Sequence, residues 1–192
     1  MVVLKTALEG VFILEPLVHG DERGYFIETF SQRDFDREFA LPYLGHPLCF
    51  VQDNESKSGR GVLRGLHFQR PPHAQAKLVS CVQGRVLDVV VDIRKGSPTY
   101  MGYLCVELSG DSHRQLFIPK GFAHGYLTLS ESAIFHYKCD EYYHPESEGG
   151  INILDPSLGI EFPDEQFIMS SKDRNWEGIG NSGIFFTYRD EN

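Results

Sequence analysis

The stretches GVLRGLHFQ (residues 61–69) and IPKGFAHG (residues 118–125) decide the fold of this sequence. Both combine apolar residues with glycine, and each carries one histidine. Short apolar runs bounded by glycine and proline are typical of β-strands. Because successive side chains of a strand point to opposite faces, Arg64 and His67 can share a pocket only if Gly65 makes a bulge or kink. The first stretch therefore predicts a strand, and it permits an irregularity at this glycine.

The remainder of the chain shows the same short strand-like runs between turn signals, with 19 glycines and 10 prolines. This pattern predicts an all-β barrel or sandwich, formed by one domain over residues 1–192. The exception is a helix predicted over residues 31–41, where Ser31 can cap the first turn and Phe35 and Phe39 share a face. The predicted strands span residues 11–14, 25–30, 62–69, 77–83, 85–93, 103–108, 115–118, 125–129 and 133–139.

Composition and charge make several classes of protein unlikely candidates. The 192-residue chain has 41% hydrophobic residues and a formal net charge of −9, which weakens any general attraction to nucleic acid or anionic lipid. No stretch approaches the ~20 apolar residues of a membrane span, and Lys5 and Glu9 interrupt any apolar leader. The four cysteines are irregularly spaced, so we expect reduced core residues in a cytoplasmic protein with no nucleic-acid or membrane partner.

Two polar residues are predicted to face the interior of the barrel. In one predicted strand, Tyr137 lies on the same face as Ala133 and Phe135. In another, Lys77 shares a face with Val79, which places an ammonium group near the mouth of the same interior. A lysine in such surroundings requires an anionic partner, so an anionic group is expected beside it.

The two histidine motifs resemble those of the cupin barrel, in which a glycine-rich strand carrying a histidine precedes a P-x-G-x-x-H sequence. His67 and His124 occupy these positions, 57 residues apart. A metal-binding cupin is expected to offer a second histidine and a glutamate near the first motif, but no glutamate occurs between Glu55 and Glu107. Because transition metals usually take three or four ligands, we expect no metal cofactor.

The order and spacing of eight short blocks give a more specific resemblance. The chain resembles the dTDP-4-dehydrorhamnose 3,5-epimerase family over nearly its whole length. This resemblance implies a cupin-type double-stranded β-helix, or jelly-roll barrel, with short peripheral helices. Residues 139–141 depart from the threonine-rich run usual in the family. The matching blocks are DERGYFIETF (21–30), QDNES (52–56), 61–69, DIRKGSPT (92–99), 118–125, YK (137–138) with YY (142–143), NILDP (152–156) and SKD (171–173).

The family resemblance implies inversion of C3 and C5 of dTDP-4-dehydro-6-deoxy-D-glucose to give dTDP-4-dehydro-L-rhamnose. Epimerisation next to a ketone requires a base, a group that stabilises the enolate oxygen, and an acid on the opposite face. By resemblance, His67 is the base and Asp173 is the carboxylate that holds it. Lys77 matches the cation at the C4 oxygen, and Tyr137 matches the acid. No electron carrier is consumed and no G-x-G-x-x-G follows a predicted strand, so no cofactor is expected.

The nucleotide requires a second set of residues. The resemblance assigns the diphosphate to Arg23 and Arg64, since planar guanidinium groups suit phosphate oxygens. It assigns base recognition to Phe26 and Glu28, in part across the boundary of a homodimer that exchanges N-terminal strands. Two amides lie near the sugar and nucleotide, and either of two tyrosines can stack on thymine. The histidine of the second motif is a further candidate. The remaining candidates for binding the dTDP-sugar are therefore Gln52, Asn54, His124, Tyr142 and Tyr143.

Other interpretations stay open at this point. A related enzyme can invert only C3 or C5, or use another nucleotide sugar, as antibiotic-sugar members of the family do. The chain can also be a sugar-binding cupin without turnover, or a metal-dependent cupin oxygenase or isomerase. Taken singly, Phe26 is equally suited to the core, and His124 either orients the site or satisfies a turn. The remaining histidines are expected at the surface or in loops: His19, His46, His73, His113, His136 and His144.

Overall fold

The computed structural model describes residues 1–163, 166–180 and 186–188, which form β-strands and a few short helices. Strand pairing is antiparallel throughout except between the last strand and the ninth, which run parallel. In chain order the strands are β1 (Val2–Lys5), β2 (Phe12–Glu15), β3 (Val18–Asp21), β4 (Gly24–Ile27), β5 (Gln52–Gly59), β6 (Leu63–Gln69), β7 (Lys77–Gln83), β8 (Arg85–Asp92), β9 (Arg94–Lys95), β10 (Tyr103–Ser109), β11 (Gln115–Ile118), β12 (Phe122–Thr128), β13 (Ser132–Cys139), β14 (Glu148–Gly150) and β15 (Phe186–Thr187).

Two sheets face each other and enclose the interior of the barrel. The six-stranded sheet has the order β1-β2-β11-β7-β13-β5, and the five-stranded sheet has the order β10-β8-β12-β6-β14. Between them lies a buried apolar cluster that includes Val79 and Phe135 from the first sheet and Val90 from the second. This arrangement confirms the predicted all-β class.

Each sheet is also covered on its outer face. Ile151 and Ile153, which follow β14, pack with Val89 of β8 in a cluster outside the five-stranded sheet. Phe39 packs with Phe117 of β11 outside the six-stranded sheet, with ring centroids 4.9 Å apart. Because side chains alternate along each strand, the central strands bury residues on both faces.

The helix predicted over residues 31–41 is confirmed, but it extends further. Helix α1 (Gln32–Phe35) is capped by the Ser31 side chain, which accepts a hydrogen bond from the Asp34 amide, and it continues as a π-helix over Asp36–Leu44. Short 3₁₀-helices span Pro145–Ser147 and Pro156–Leu158, and helix α2 spans Ser171–Arg174. Among the described residues, no helix has the length and apolar composition needed to cross a membrane.

Some elements differ from the predictions. Strand β4 ends at Ile27, so Glu28 lies beyond the strand in which it was predicted. β5 was not predicted, because its sequence is polar and it is a strand through its pairing with β13. The four cysteines are free, as expected, but the prediction of core positions is wrong for Cys49, which is exposed.

The irregularity at Gly65 that the sequence permits is present in β6. His124 of β12 pairs with His67, but Tyr126, two residues on, pairs with Arg64, so β6 contains one extra residue. Gly65 has φ of 115°, and a Cβ at this position would lie 2.6 Å from the Gly125 Cα. Only glycine fits this backbone and this close approach. Because of the bulge, the side chains of Arg64 and His67 both point away from the apolar cluster outside the five-stranded sheet.

Candidate active site

His67 and Asp173 form the central pair of the site. His67 comes from β6 beyond the bulge, and its Nε2 lies 2.6 Å from Asp173 Oδ1. The imidazole is about one-third exposed, at 35%, whereas the carboxylate is 6% exposed. Asp173 sits in the first turn of α2, where its amide donates to the side chain of the capping residue Ser170. The helix therefore holds the carboxylate behind the histidine.

The charge on Asp173 decides which nitrogen of His67 carries a proton. Burial alone would raise the pKa of Asp173, but hydrogen bonds from His67, Ser170 and the Gly65 backbone hold it below its usual value. An ionised carboxylate can only accept hydrogen bonds. Nε2 of His67 therefore carries the hydrogen, and in the neutral ring Nδ1 is left as the proton acceptor.

Lys77 supplies the cation of the site. It begins β7, and its Cα is paired with that of Cys139 on β13. Burial lowers the pKa of Lys77, while the more distant charges of Asp88 and Glu148 act in the opposite direction. Among the described residues, no carboxylate lies within 4.0 Å of its ammonium nitrogen. No carboxylate of the described residues therefore serves as the predicted anionic partner, and the charge is available to an anionic ligand.

Tyr137 lies on the interior face of β13, as its strand parity predicted. It packs against the cluster between the sheets, with its ring centroid 6.3 Å from that of Phe135. Burial raises the pKa of Tyr137 to about 12, and the Arg64 guanidinium opposes part of this shift. Arg64 itself donates from Nε to Ser58 Oγ at 3.1 Å. Tyr137 is therefore a protonated phenol at neutral pH.

A second histidine–aspartate pair lies deeper in the interior. His124 Nε2 is 2.8 Å from Asp88 Oδ2, and the two side chains are 9% and 0% exposed. The His124 ring stacks on Phe135 with centroids 6.0 Å apart. The sequence alone allows His124 either to satisfy a turn or to orient the site, and its position inside β12 rules out the turn.

The site residues surround a cavity of about 250 Å³ between the two sheets. Six predicted residues line it: Gln52, Asn54, His67, Lys77, Tyr137 and Tyr143. Sequence reasoning missed the other lining residues, which are Phe68, Gln69, Gln75, Cys139 and Glu148. Gln75 could have been found, because it precedes Lys77 by two residues. Glu148 gives no local signal, since its role depends on Tyr143 and Lys172, which lie 3.0 and 2.5 Å from its Oε2.

Six of the nine predicted binding residues do not line this cavity: Arg64 and His124, described above, and Arg23, Phe26, Glu28 and Tyr142. Arg23 is in the turn between β3 and β4 and pairs with Asp21 at 2.5 Å. Phe26 and Glu28 border a different cavity, of about 240 Å³, near the N-terminus. Phe26 is 69% exposed, so it does not belong to the core of this chain. The Tyr142 side chain is also exposed, and its carbonyl accepts a hydrogen bond from Gln69.

The polar groups in and beside the cavity fit acid–base chemistry. His67 and His124 each bond a carboxylate through Nε2, and they do not belong to the one cluster of three potential metal ligands found in the described residues. A proton acceptor on one sheet, a phenol on the facing sheet and a desolvated cation can move protons on a carbon acid held between them.

Comparison with known proteins identifies the family. The family model for dTDP-4-dehydrorhamnose 3,5-epimerase matches residues 5–180. The dTDP-4-dehydrorhamnose 3,5-epimerase of Salmonella typhimurium is 53% identical over 174 residues, which cover 90% of this chain and 92% of that protein. The crystal structure of the Legionella pneumophila epimerase in complex with dTDP-4-keto-L-rhamnose has 46% sequence identity and a TM-score of 0.90, and the match covers 97% of this chain and 98% of that one.

A third comparison shows that the chain is also similar to a monoepimerase. The 3'-monoepimerase ChmJ of Streptomyces bikiniensis, solved in complex with dTDP-quinovose, has 35% identity and a TM-score of 0.87, with coverage of 95% of this chain and 92% of that one. The shared fold confirms the cupin-type barrel. On the family model and on identity over nearly the whole length, the chain belongs to the dTDP-4-dehydrorhamnose 3,5-epimerase family.

Proposed function

We propose that the protein binds dTDP-4-dehydro-6-deoxy-D-glucose between its two sheets and inverts C3 and C5 to give dTDP-4-dehydro-L-rhamnose. Family membership supports an isomerase of this kind, and it disfavours a non-catalytic cupin and a cupin oxygenase. The observation that carries the proposal is the position of His67 on one sheet and Tyr137 on the facing sheet, with both side chains lining one cavity. A sugar ring held there exposes opposite faces to the two groups.

The reaction begins with proton removal by His67. Its Nδ1 takes the proton from C3 or C5, and the imidazolium that forms is stabilised by the Asp173 carboxylate on Nε2. The electron pair of the broken C–H bond moves into an enolate whose oxygen is O4 of the sugar. Lys77 neutralises that oxyanion, and removing one donor of this type typically costs about 3 to 4 kcal/mol in the barrier.

Tyr137 completes the inversion from the opposite face. Its hydroxyl proton is delivered to the enolate carbon and the C4 ketone reforms. The phenolate then recovers a proton from solvent, and the His67 imidazolium releases its proton to solvent. Because the pKa of Tyr137 is raised to about 12, its hydroxyl is protonated before each turnover. The neighbouring Arg64 guanidinium stabilises the transient phenolate.

The nucleotide is proposed to extend from the cavity toward the exposed residues at its mouth. Arg64 is exposed, and its guanidinium is suited to the diphosphate. Tyr142 and Tyr143 follow β13 with exposed rings, which can stack on thymine. Gln52 and Asn54 line the cavity and provide amide groups for the sugar and nucleotide.

A single-carbon epimerase is the second candidate. The likeness to the 3'-monoepimerase ChmJ favours considering it, since that enzyme shares the fold at 35% identity. The cavity wall also carries Cys139 in place of the threonine-rich run, directly beside Lys77. The two outcomes use the same base and cation, and they differ in how many carbons are presented to His67.

Incubation with dTDP-4-dehydro-6-deoxy-D-glucose in deuterated water tests the function and the two roles together. NMR should locate deuterium at both C3 and C5, whereas label at one carbon identifies the single epimerase and no label contradicts the proposal.

His67→Ala should abolish both exchange and inversion, because no enolate forms. Tyr137→Phe should retain exchange while inversion falls roughly 10²–10⁴-fold, because the enolate is reprotonated only from the side it left.

The exposed His46 provides a matched control, since His46→Ala removes an imidazole that does not line the cavity and should leave both rates unchanged. Equal loss of exchange and inversion in Tyr137→Phe would mean that the tyrosine acts before or during proton removal. That result would overturn the division of roles between the two sheets.

Lys77 is expected to set the alkaline limit of activity. Its lowered pKa means that it loses its proton at a lower pH than an ordinary lysine, whose pKa is about 10.4, and well before Tyr137 ionises at about 12. The kcat/KM profile should therefore fall with an apparent pKa below that of free lysine. In Lys77→Arg, which stays charged, this limb should move to higher pH even if the rate is lower. An unchanged limb in Lys77→Arg would exclude Lys77 as the titrating group.

We propose a homodimer in which the hairpin formed by β3 and β4 packs against a second copy. In the described residues this hairpin pairs only with itself, and Tyr25 and Phe26 are 62% and 69% exposed. An isolated two-stranded hairpin is marginally stable in water, so a partner surface would stabilise it. Phe26 and Glu28 would then reach the partner's nucleotide site.

The proposed location is the cytoplasm, because the four cysteines are free thiols.

Sedimentation velocity tests this assembly. The wild-type protein should sediment as a dimer, and Phe26→Asp should shift it toward monomer because a buried charge at the interface is costly. Leu41→Asp is the control, since Leu41 is similarly exposed, at 51%, on the π-helix. A stable, fully active wild-type monomer would refute the dimer.

A further inference from the structure

A cluster of three metal-ligating side chains lies outside the candidate active site. His73, Glu141 and His144 each offer a ligand atom, and these atoms all lie within 4.8 Å of one another. The three residues are half-buried, and none of them lines the cavity that contains His67. Two imidazoles and one carboxylate form a donor set suited to Zn²⁺ and neighbouring first-row divalent metals.

The backbones that carry these side chains are held together by Gln69. This buried glutamine, at the end of β6, donates from Nε2 to the His73 carbonyl at 2.7 Å, and its Oε1 accepts from the His144 amide at 2.6 Å. Gln75 fixes the third position, since its Nε2 donates to the Glu141 carbonyl at 2.8 Å. The separation of the three ligand residues is therefore set before any ion binds.

An outer carboxylate orients one of the histidines. His144 Nδ1 lies 3.1 Å from Glu146 Oε1, so a hydrogen on Nδ1 is donated to this carboxylate and Nε2 is left with a lone pair. A histidine that ligates a metal typically donates its other ring hydrogen to a carboxylate in this way. One oxygen of Glu141 accepts from the Tyr142 amide at 2.9 Å, which leaves the other for a ligand.

The two imidazoles are stacked, with centroids 3.5 Å apart and planes at 9°. A metal ion lies in the plane of each ligating ring, so one ring must turn before both can bind it. Ligand atoms on a tetrahedral ion with bonds of about 2.0–2.1 Å are roughly 3.3 Å apart, so the atoms also converge slightly. Because Glu146 holds His144 through Nδ1, the ring that turns is that of the half-buried His73, whose χ2 torsion is soft.

We propose that His73, Glu141 and His144 form a binding site for a divalent transition metal of the Zn²⁺ type, with water completing the coordination. The site joins the loop after β6 to the loop after β13. The second loop carries Tyr142 and Tyr143, and Tyr143 lines the active-site cavity. A bound ion therefore fixes the loop at the cavity mouth and takes no part in proton transfer at His67.

Metal binding is measured on the full chain without an affinity tag, after EDTA treatment and without substrate, so the result does not depend on the proposed reaction. Titration with Co²⁺ should give visible d–d bands that saturate at one equivalent per chain. Calorimetry with Zn²⁺ should give the same stoichiometry. At a free Zn²⁺ concentration of 100 times Kd, the melting temperature should rise by roughly 5 °C or more.

His144→Gln and Glu141→Gln should each weaken binding by at least about tenfold and remove the thermal shift, while Glu146→Gln should weaken it by about tenfold through the lost outer contact. His46→Gln, which replaces an exposed histidine outside the cluster, should bind as the wild type does. Circular dichroism verifies that the variants are folded, and His73→Gln provides a further test of the same site. Absence of binding at about 100 μM metal, or binding that all the cluster variants retain, would overturn the proposal.

Discussion

The hydrogen bond between His67 Nε2 and Asp173 Oδ1, 2.6 Å long, ties the interior of the barrel to the C-terminal segment. Its two ends depend on different parts of the chain. The bulge at Gly65 directs the imidazole into the interior, and the packing of Ile151 and Ile153 on the outer face of the five-stranded sheet leads the chain back to α2. The outer apolar layer thus positions the carboxylate that bonds His67 as well as burying apolar surface.

Burial between two sheets acts on the other two groups of the site in complementary ways. It disfavours every charged form, so it raises the pKa of Tyr137 to about 12 and lowers the pKa of Lys77. The phenol is thereby kept as a proton donor. The ammonium, poorly solvated and without a carboxylate within 4.0 Å in the described residues, gains most when an oxyanion develops beside it.

Local backbone geometry explains which parts of the site could be predicted. Strand alternation placed Tyr137 and Lys77 in the interior, because it follows from neighbouring residues, whereas the glycine between Arg64 and His67 permitted a bulge without requiring one. The partner of His67 is 106 residues away, so it could be assigned only through the family resemblance.

Features that depend on long-range pairing could not be predicted. β5 has no apolar alternation, and its strand conformation comes from pairing with β13 over its whole length. Asp88 beneath His124, and the link from Gln69 to two loops, likewise appear only once distant segments are brought together. The extension of the helix past Leu41 to Leu44 runs through a proline, which local rules disfavour.

We infer that His67 donates from Nε2 to an ionised Asp173 and presents an unprotonated Nδ1 to the substrate. Nitrogen-15 NMR of histidine-labelled protein under conditions where the ring is neutral measures directly which nitrogen carries the proton, with the His67 signals assigned by their loss in His67→Asn. We expect the Nε2–H tautomer in the wild type and its loss, or a mixture of tautomers, in Asp173→Asn. A neutral His67 with its proton on Nδ1 in the wild type would contradict the assigned role of Asp173.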